Sequence, residues 1–127
     1  RLGPLQIPDE FFADFLRGCI DGDGSIITYT DRYNTFKNPK YIYERLFVEL
    51  FSASLPFVGW ARSTVARLQG LRGAIITTDR QPPHHPISVL KYAKHASISL
   101  LNWIYYAPDI PCLARKKAKA QPFLVES

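Results

Sequence analysis

Two carboxylates, Asp21 and Asp23, stand at the end of the stretch Phe15-Leu16-Arg17-Gly18-Cys19-Ile20-Asp21-Gly22-Asp23-Gly24-Ser25. The apolar spacing before them is helical, so both acids fall at a helix C-terminus, where the backbone already carries partial negative charge. That placement costs stability unless something positive compensates. A divalent cation would do so, and hard carboxylate oxygens suit Mg²⁺ or a similar ion. Gly18 and Gly22 lie four apart and share one helix face. With no side chains between them, two copies of the helix can approach closely, the logic of GxxxG packing. Two Asp23 side chains would then meet near a two-fold axis, and acid crowding becomes a metal site built from both chains.

These residues admit other readings. Asp21-Gly22-Asp23-Gly24-Ser25 looks like the start of an EF-hand loop, but the sixth and twelfth positions hold Ile26 and Arg32 instead of Gly and Glu. A plain helix stop and turn is the simplest alternative, since Asp and Gly favour turns. His84, His85 and His95 invite a zinc reading, yet no cysteine or acid lies at ligand spacing from them. Trp103, Tyr105 and Tyr106 are expected as core or interface aromatics.

The elements that must position the acids follow from periodicity. Pro8, Asp9 and Glu10 announce a first helix, which Gly22 and Gly24 end. Residues 25–37 are expected as a strand running past Tyr33, Asn38-Pro39 as a turn, and residues 40–54 as a second strand, making a long hairpin. Pro56 opens a second helix stopped by Gly70. Residues 73–78 and 87–92 are expected as a second strand pair around the loop 80–86. A third helix is expected over about 96–106 and a last, basic one over 112–120.

The chain has 127 residues, of which 46% are hydrophobic, enough for one domain, 1–127, with a core of its own. No apolar run approaches the roughly 18–20 residues that span a bilayer, and no secretory signal is visible, so no membrane partner is expected. The chain lacks Met and begins with Arg, so a trimmed piece of a longer product is expected. Cys19 and Cys112 are expected as structural thiols in a reducing compartment. The net charge of +5 favours anionic partners, and Arg115, Lys116, Lys117 and Lys119 cluster near the C-terminus.

Leu16-Arg17-Gly18-Cys19-Ile20-Asp21-Gly22-Asp23-Gly24, continued by Ser25-Ile26, resembles the motif of the LAGLIDADG homing endonucleases. The element order is similar to that family's αββαββα core, and Pro111 to Lys117 resembles its late basic segment. Arg17 and Cys19 depart from the usual small and aliphatic residues. The resemblance implies an α+β fold with a four-stranded twisted antiparallel sheet forming a DNA-binding saddle. It implies double-strand DNA cleavage with a divalent metal at a dimer axis. The metal-binding acid falls on Asp23, with the backbone carbonyl of Gly22. Asp21 takes a structural role at the dimer interface with Gly18 and Gly22. Lys116 matches the active-site lysine, with Arg115 beside it, and Ser54 falls where the family often has a Gln-like residue ordering water.

Binding would come from the hairpins, since a strand of about 10–12 residues spans about 35 Å, close to one turn of B-DNA. Period-two alternation puts Leu46, Val48 and Leu50 on the core side of the second strand. Arg45, Phe47, Glu49 and Phe51 then face DNA, together with Ile27, Tyr29, Asp31 and Tyr33 on the first strand. Arg32, Lys37 and Lys40 sit near the hairpin tip, Thr78 and Arg80 come from the third strand, and Arg115, Lys117 and Lys119 from the basic segment. One motif implies one subunit per half-site, hence a homodimer on double-stranded DNA. Half of a two-motif protein and the endonuclease part of an intein are the other assemblies. A non-cleaving nucleic-acid binder on the same fold, an RNA maturase or a regulator, is the competing function. An intracellular setting, bacterial cytoplasm or organelle, is expected.

Overall fold

A computed structural model describes residues 3–32, 35–40, 42–78 and 86–125. A 3₁₀ turn, Asp9–Phe11, leads into helix α1 (Phe12–Asp23). Strands β1 (Gly24–Asp31) and β2 (Tyr43–Ser52) follow, then helix α2 (Leu55–Gln69), strands β3 (Ala74–Thr78) and β4 (Ile87–Tyr92), helix α3 (Lys94–Ile104) and helix α4 (Ala114–Ala120). The four strands form one antiparallel sheet in the order β1-β2-β4-β3, which is the expected fold class.

Helices α1, α2 and α3 cover one face of the sheet because each has an apolar stripe to bury, whereas α4 lies beside β1 and buries only Ala120. In α1 that stripe is Phe12, Leu16 and Ile20, spaced by four, with each residue almost fully buried. From the sheet, Ile26, Leu46, Val48, Leu50, Leu90 and Tyr92 meet it. A ring cluster joins the layers: Phe12 lies 5.5 Å from Trp60 and 6.0 Å from Trp103, centroid to centroid. Trp103 and Tyr105 are therefore core aromatics as expected, whereas Tyr106 is exposed and donates its hydroxyl to Asp14 at 2.5 Å.

Two junctions set the geometry of the site. At the first, α1 passes straight into β1 through Gly24, whose N–H reaches the Ile20 carbonyl. A Cβ at Gly24 would stand 2.7 Å from both the Glu49 carbonyl oxygen and the Ile20 Cα, so only glycine lets helix and sheet backbones touch there. At the second, β2 runs into α2 through Ser54, whose Oγ accepts the Phe57 N–H at 3.3 Å as a helix N-cap. Where the β2–β4 ladder ends, at Val48 opposite Tyr92, the buried Ser97 hydroxyl accepts the Val48 N–H and donates to the Tyr92 carbonyl.

Some boundaries differ from expectation. The first strand stops at Asp31, and residues 35–40 are turns in which Thr35 Oγ1 donates to the Arg32 carbonyl and Asn38 Oδ1 accepts the Lys40 N–H. Such local side-chain bonds compete with the strand ladder. The third helix starts earlier, at Lys94, and ends at Ile104.

Candidate functional site

The C-terminus of α1 lies beside the end of β2. Asp23 is exposed, and together with Phe51, Ser52, Ala53 and Ile87 it lines an open hollow of about 330 Å³. Cys19, one turn earlier, is half-buried; burial, reinforced by the Asp23 carboxylate, pushes its thiol up to about 11. Asp21 turns the other way: its Oδ2 accepts the Leu113 N–H at 2.9 Å, tying the motif helix to the start of α4. Its Oδ1 is buried without a partner among the described residues, as is the Tyr105 hydroxyl. Burial raises the Tyr105 phenol, and the charges of Asp21 and Cys112 add to the effect.

Lys116 supplies the positive charge that the helix end requires. Its Nζ donates to the carbonyls of Ile20 at 2.6 Å, Asp21 at 2.8 Å and Gly24 at 2.7 Å. An ammonium has three protons, so these contacts take all of them. The compensation expected from a divalent cation is thus already given by a side chain from 96 residues away. Lys116 thus caps the end of α1. The Gly22 carbonyl is not among the three it holds. The Ser54 hydroxyl caps α2, and its N–H donates to Ser52 Oγ at 3.0 Å.

Gly18 and Gly22 are exposed, and a Cβ at either would meet nothing within 4 Å. The glycine face of α1 is therefore a smooth open strip. Arg17, the departure from the motif's small residue, does not obstruct it. Arg17 is buried towards the protomer's own interior, donating to the carbonyls of Pro111 at 2.9 Å and Ile104 at 2.7 Å and to Asp14 at 2.8 Å. Asp14 is held below the usual carboxylate range, first by the Tyr106 hydroxyl and then by Arg17.

The uncovered face of the sheet carries the residues expected there. Ile27 is paired opposite Phe47 and Tyr29 opposite Arg45, with Asp31 opposite Tyr43. Leu46, Val48 and Leu50 are buried, whereas Phe47 and Glu49 are half-buried and Arg45 and Phe51 exposed, so the face assignment holds. Thr78 lies opposite Ile87 at the far edge. Arg32, Lys37 and Lys40 are exposed beyond the hairpin strands; Arg115 and Lys119 are exposed on α4, and Lys117 donates to the Pro108 carbonyl at 2.7 Å. Tyr33, Arg80, His84 and His85 lie outside the described residues, and His95 is exposed. The sequence reading missed Lys91, whose Nζ sits 4.2 Å from the Phe47 ring centroid. Alternation along Ile87–Tyr92 puts Lys91 on the open face and could have found it.

For a divalent metal the donor type fits but the number does not. One protomer offers the Asp23 carboxylate and the Gly22 carbonyl, and among the described residues no three His, Cys, Asp or Glu converge. A second copy would have to complete the set. No helix of the described residues is long and apolar enough to cross a membrane.

No protein-family model matches the sequence, and no curated protein does. Solved structures do match. An archaeal intron-encoded homing endonuclease, I-Vdi141I, complexed with DNA, superposes with a TM-score of 0.61 at 13% identity, covering 88% of this chain and 64% of that one. The group I intron-encoded homing endonuclease I-CeuI, complexed with DNA, gives 0.62 at 14% identity, covering 94% and 54%. The homing endonuclease I-CvuI, with a DNA target and Mg, the DNA uncleaved, gives 0.54 at 17% identity, covering 89% and 63%. The chain thus spans less than two thirds of each of these three.

Proposed function

We propose that this chain, which has the LAGLIDADG homing endonuclease fold, works as a divalent-metal-dependent DNA endonuclease assembled from two copies around α1. The observation that carries this reading is the open Gly18–Gly22 strip ending in the exposed Asp23. Packing two such strips together sets two Asp23 carboxylates and two Gly22 carbonyls around one axis. Those oxygens would hold Mg²⁺ or another hard divalent cation, which when bound acidifies water and offsets phosphate charge. The protein's part is to hold geometry. Lys116 locks the three carbonyls around the helix end, Asp21 ties that end to α4, and Gly24 keeps it against the sheet. Arg115 and Lys119 offer charge to the phosphate backbone, and the open sheet face lies over base edges in the major groove.

Asp23→Asn tests the reading, because it keeps size and removes charge. Cleavage of a selected target is expected to fall about a thousandfold or more, while duplex affinity stays within about threefold. Unchanged cleavage removes Asp23 from the mechanism. A non-cleaving binder on the same fold is the second reading, favoured by the full engagement of the Lys116 protons. It expects salt-sensitive duplex binding and no cleavage by the parent chain.

A further inference from the structure

The open sheet face is unusual in its chemistry for a surface that would lie against a polyanion. Among the described residues its charged side chains are Asp31, Arg45, Glu49 and Lys91, two acids and two bases, which cancel. Both bases are also engaged. Arg45 turns its Nε and Nη2 to Asp31 Oδ2 at 3.1 and 3.0 Å, and Lys91 stands over Phe47 with Glu49 opposite it in register. Arg and Lys donors make the commonest specific contact to guanine O6 and N7, and both of those on this face are already engaged. Beside the hydroxyls of Tyr29, Tyr43 and Thr78, it presents apolar groups: Ile27, Phe47, Phe51, Ile76, Ile87 and Val89, from all four strands, with Ile76 directly opposite Val89 and Ile27 opposite Phe47. Ile76 is 51% and Phe51 36% exposed, so these contacts are open to a partner.

The cations lie around this floor. Arg32, Lys37 and Lys40 are exposed past one end of β1 and β2, and Arg115 and Lys119 on α4 beside β1. A neutral apolar floor with a cationic margin complements a duplex groove, whose charge lies in the flanking phosphates and whose floor is base edges. The one apolar group on a major-groove base edge is the C5 methyl of thymine. We infer that the open face reads its DNA chiefly through thymine methyl groups, so that the preferred half-site is thymine-rich and poor in contacted guanines. The inference rests on the DNA-binding reading above and names the substrate within it.

The test uses the unmodified chain. Duplexes enriched from a randomised pool by binding are remade with deoxyuridine in place of thymine, which deletes the methyl and nothing else. Affinity is expected to fall about fourfold for each contacted thymine, the worth of one buried methyl, and so by more than tenfold over a half-site. Restoring methyls as 5-methylcytosine at cytosines on the groove floor is expected to raise affinity. Salt-sensitive binding that is indifferent to the thymine-to-uracil exchange, or an enriched motif dominated by guanine, overturns the inference and leaves the DNA reading standing. Absence of any salt-sensitive duplex binding overturns both and leaves the face to a protein partner.

Discussion

Replacing Lys116 by Met probes the cap at the end of the motif helix. The substitution keeps the aliphatic stem and deletes the three bonds to the carbonyls of Ile20, Asp21 and Gly24. A hydrogen bond to a charged group is worth about 1.5–3 kcal/mol net, and a cation at a partly buried helix C-terminus up to ~2 kcal/mol. The Ile20 carbonyl keeps the Gly24 N–H, so it is not orphaned. Desolvation of the ammonium offsets part of the gain. The balance is roughly 3–4 kcal/mol, which for a chain of this size lowers the melting temperature by about 10–15 °C. That is a large share of the usual 5–15 kcal/mol of a domain, yet it leaves the chain folded when cold. Thermal and urea denaturation of the purified variant measure it. Lys116→Arg keeps the charge, but a planar fork cannot converge on three carbonyls, so it is expected to recover about half of the loss. Melting of Lys116→Met within about 1 °C of the parent would refute the cap. A loss of duplex affinity at unchanged stability would place the ammonium on the phosphate instead.

Gly18→Leu with Gly22→Leu is expected to leave the protomer's melting temperature near that of the parent, because each side chain enters open space. The same pair should convert a sedimenting dimer to a monomer. Gly24→Ala drives a Cβ into the Glu49 carbonyl and the Ile20 Cα, and is expected to cost about 3 kcal/mol in urea denaturation. Asp14 is held below the usual carboxylate range, so its contribution to stability is complete above that range and lost as pH falls through its lower folded value. Asp14→Asn should therefore flatten the acid limb of a stability-versus-pH curve, with parent and variant converging at the lowest pH.

Much of this arrangement was legible in the residue order because it is local. The i, i+4 spacing of Phe12, Leu16 and Ile20 declares which side of α1 is buried and leaves Gly18 and Gly22 on another. Alternation along β2 declares which side of the sheet Phe47 and Phe51 occupy. Strand length was less legible: Asp31 ends β1 because turn-forming side chains at Thr35 and Asn38 capture the backbone beyond it.

The residue order by itself determined the faces, since period and side-chain size act on neighbours within one or two turns. Tertiary structure alone decided which distant groups meet. Lys116 reaches the end of α1 from 96 residues on, Arg17 turns inward to carbonyls 87 and 94 residues away, and Lys91 from the last strand covers Phe47 of the second. A carbonyl at a helix end accepts any donor that chain folding delivers, and nothing in its own neighbourhood names that donor. The same holds for the neutral apolar floor of the sheet, which exists only once four separate strands lie side by side.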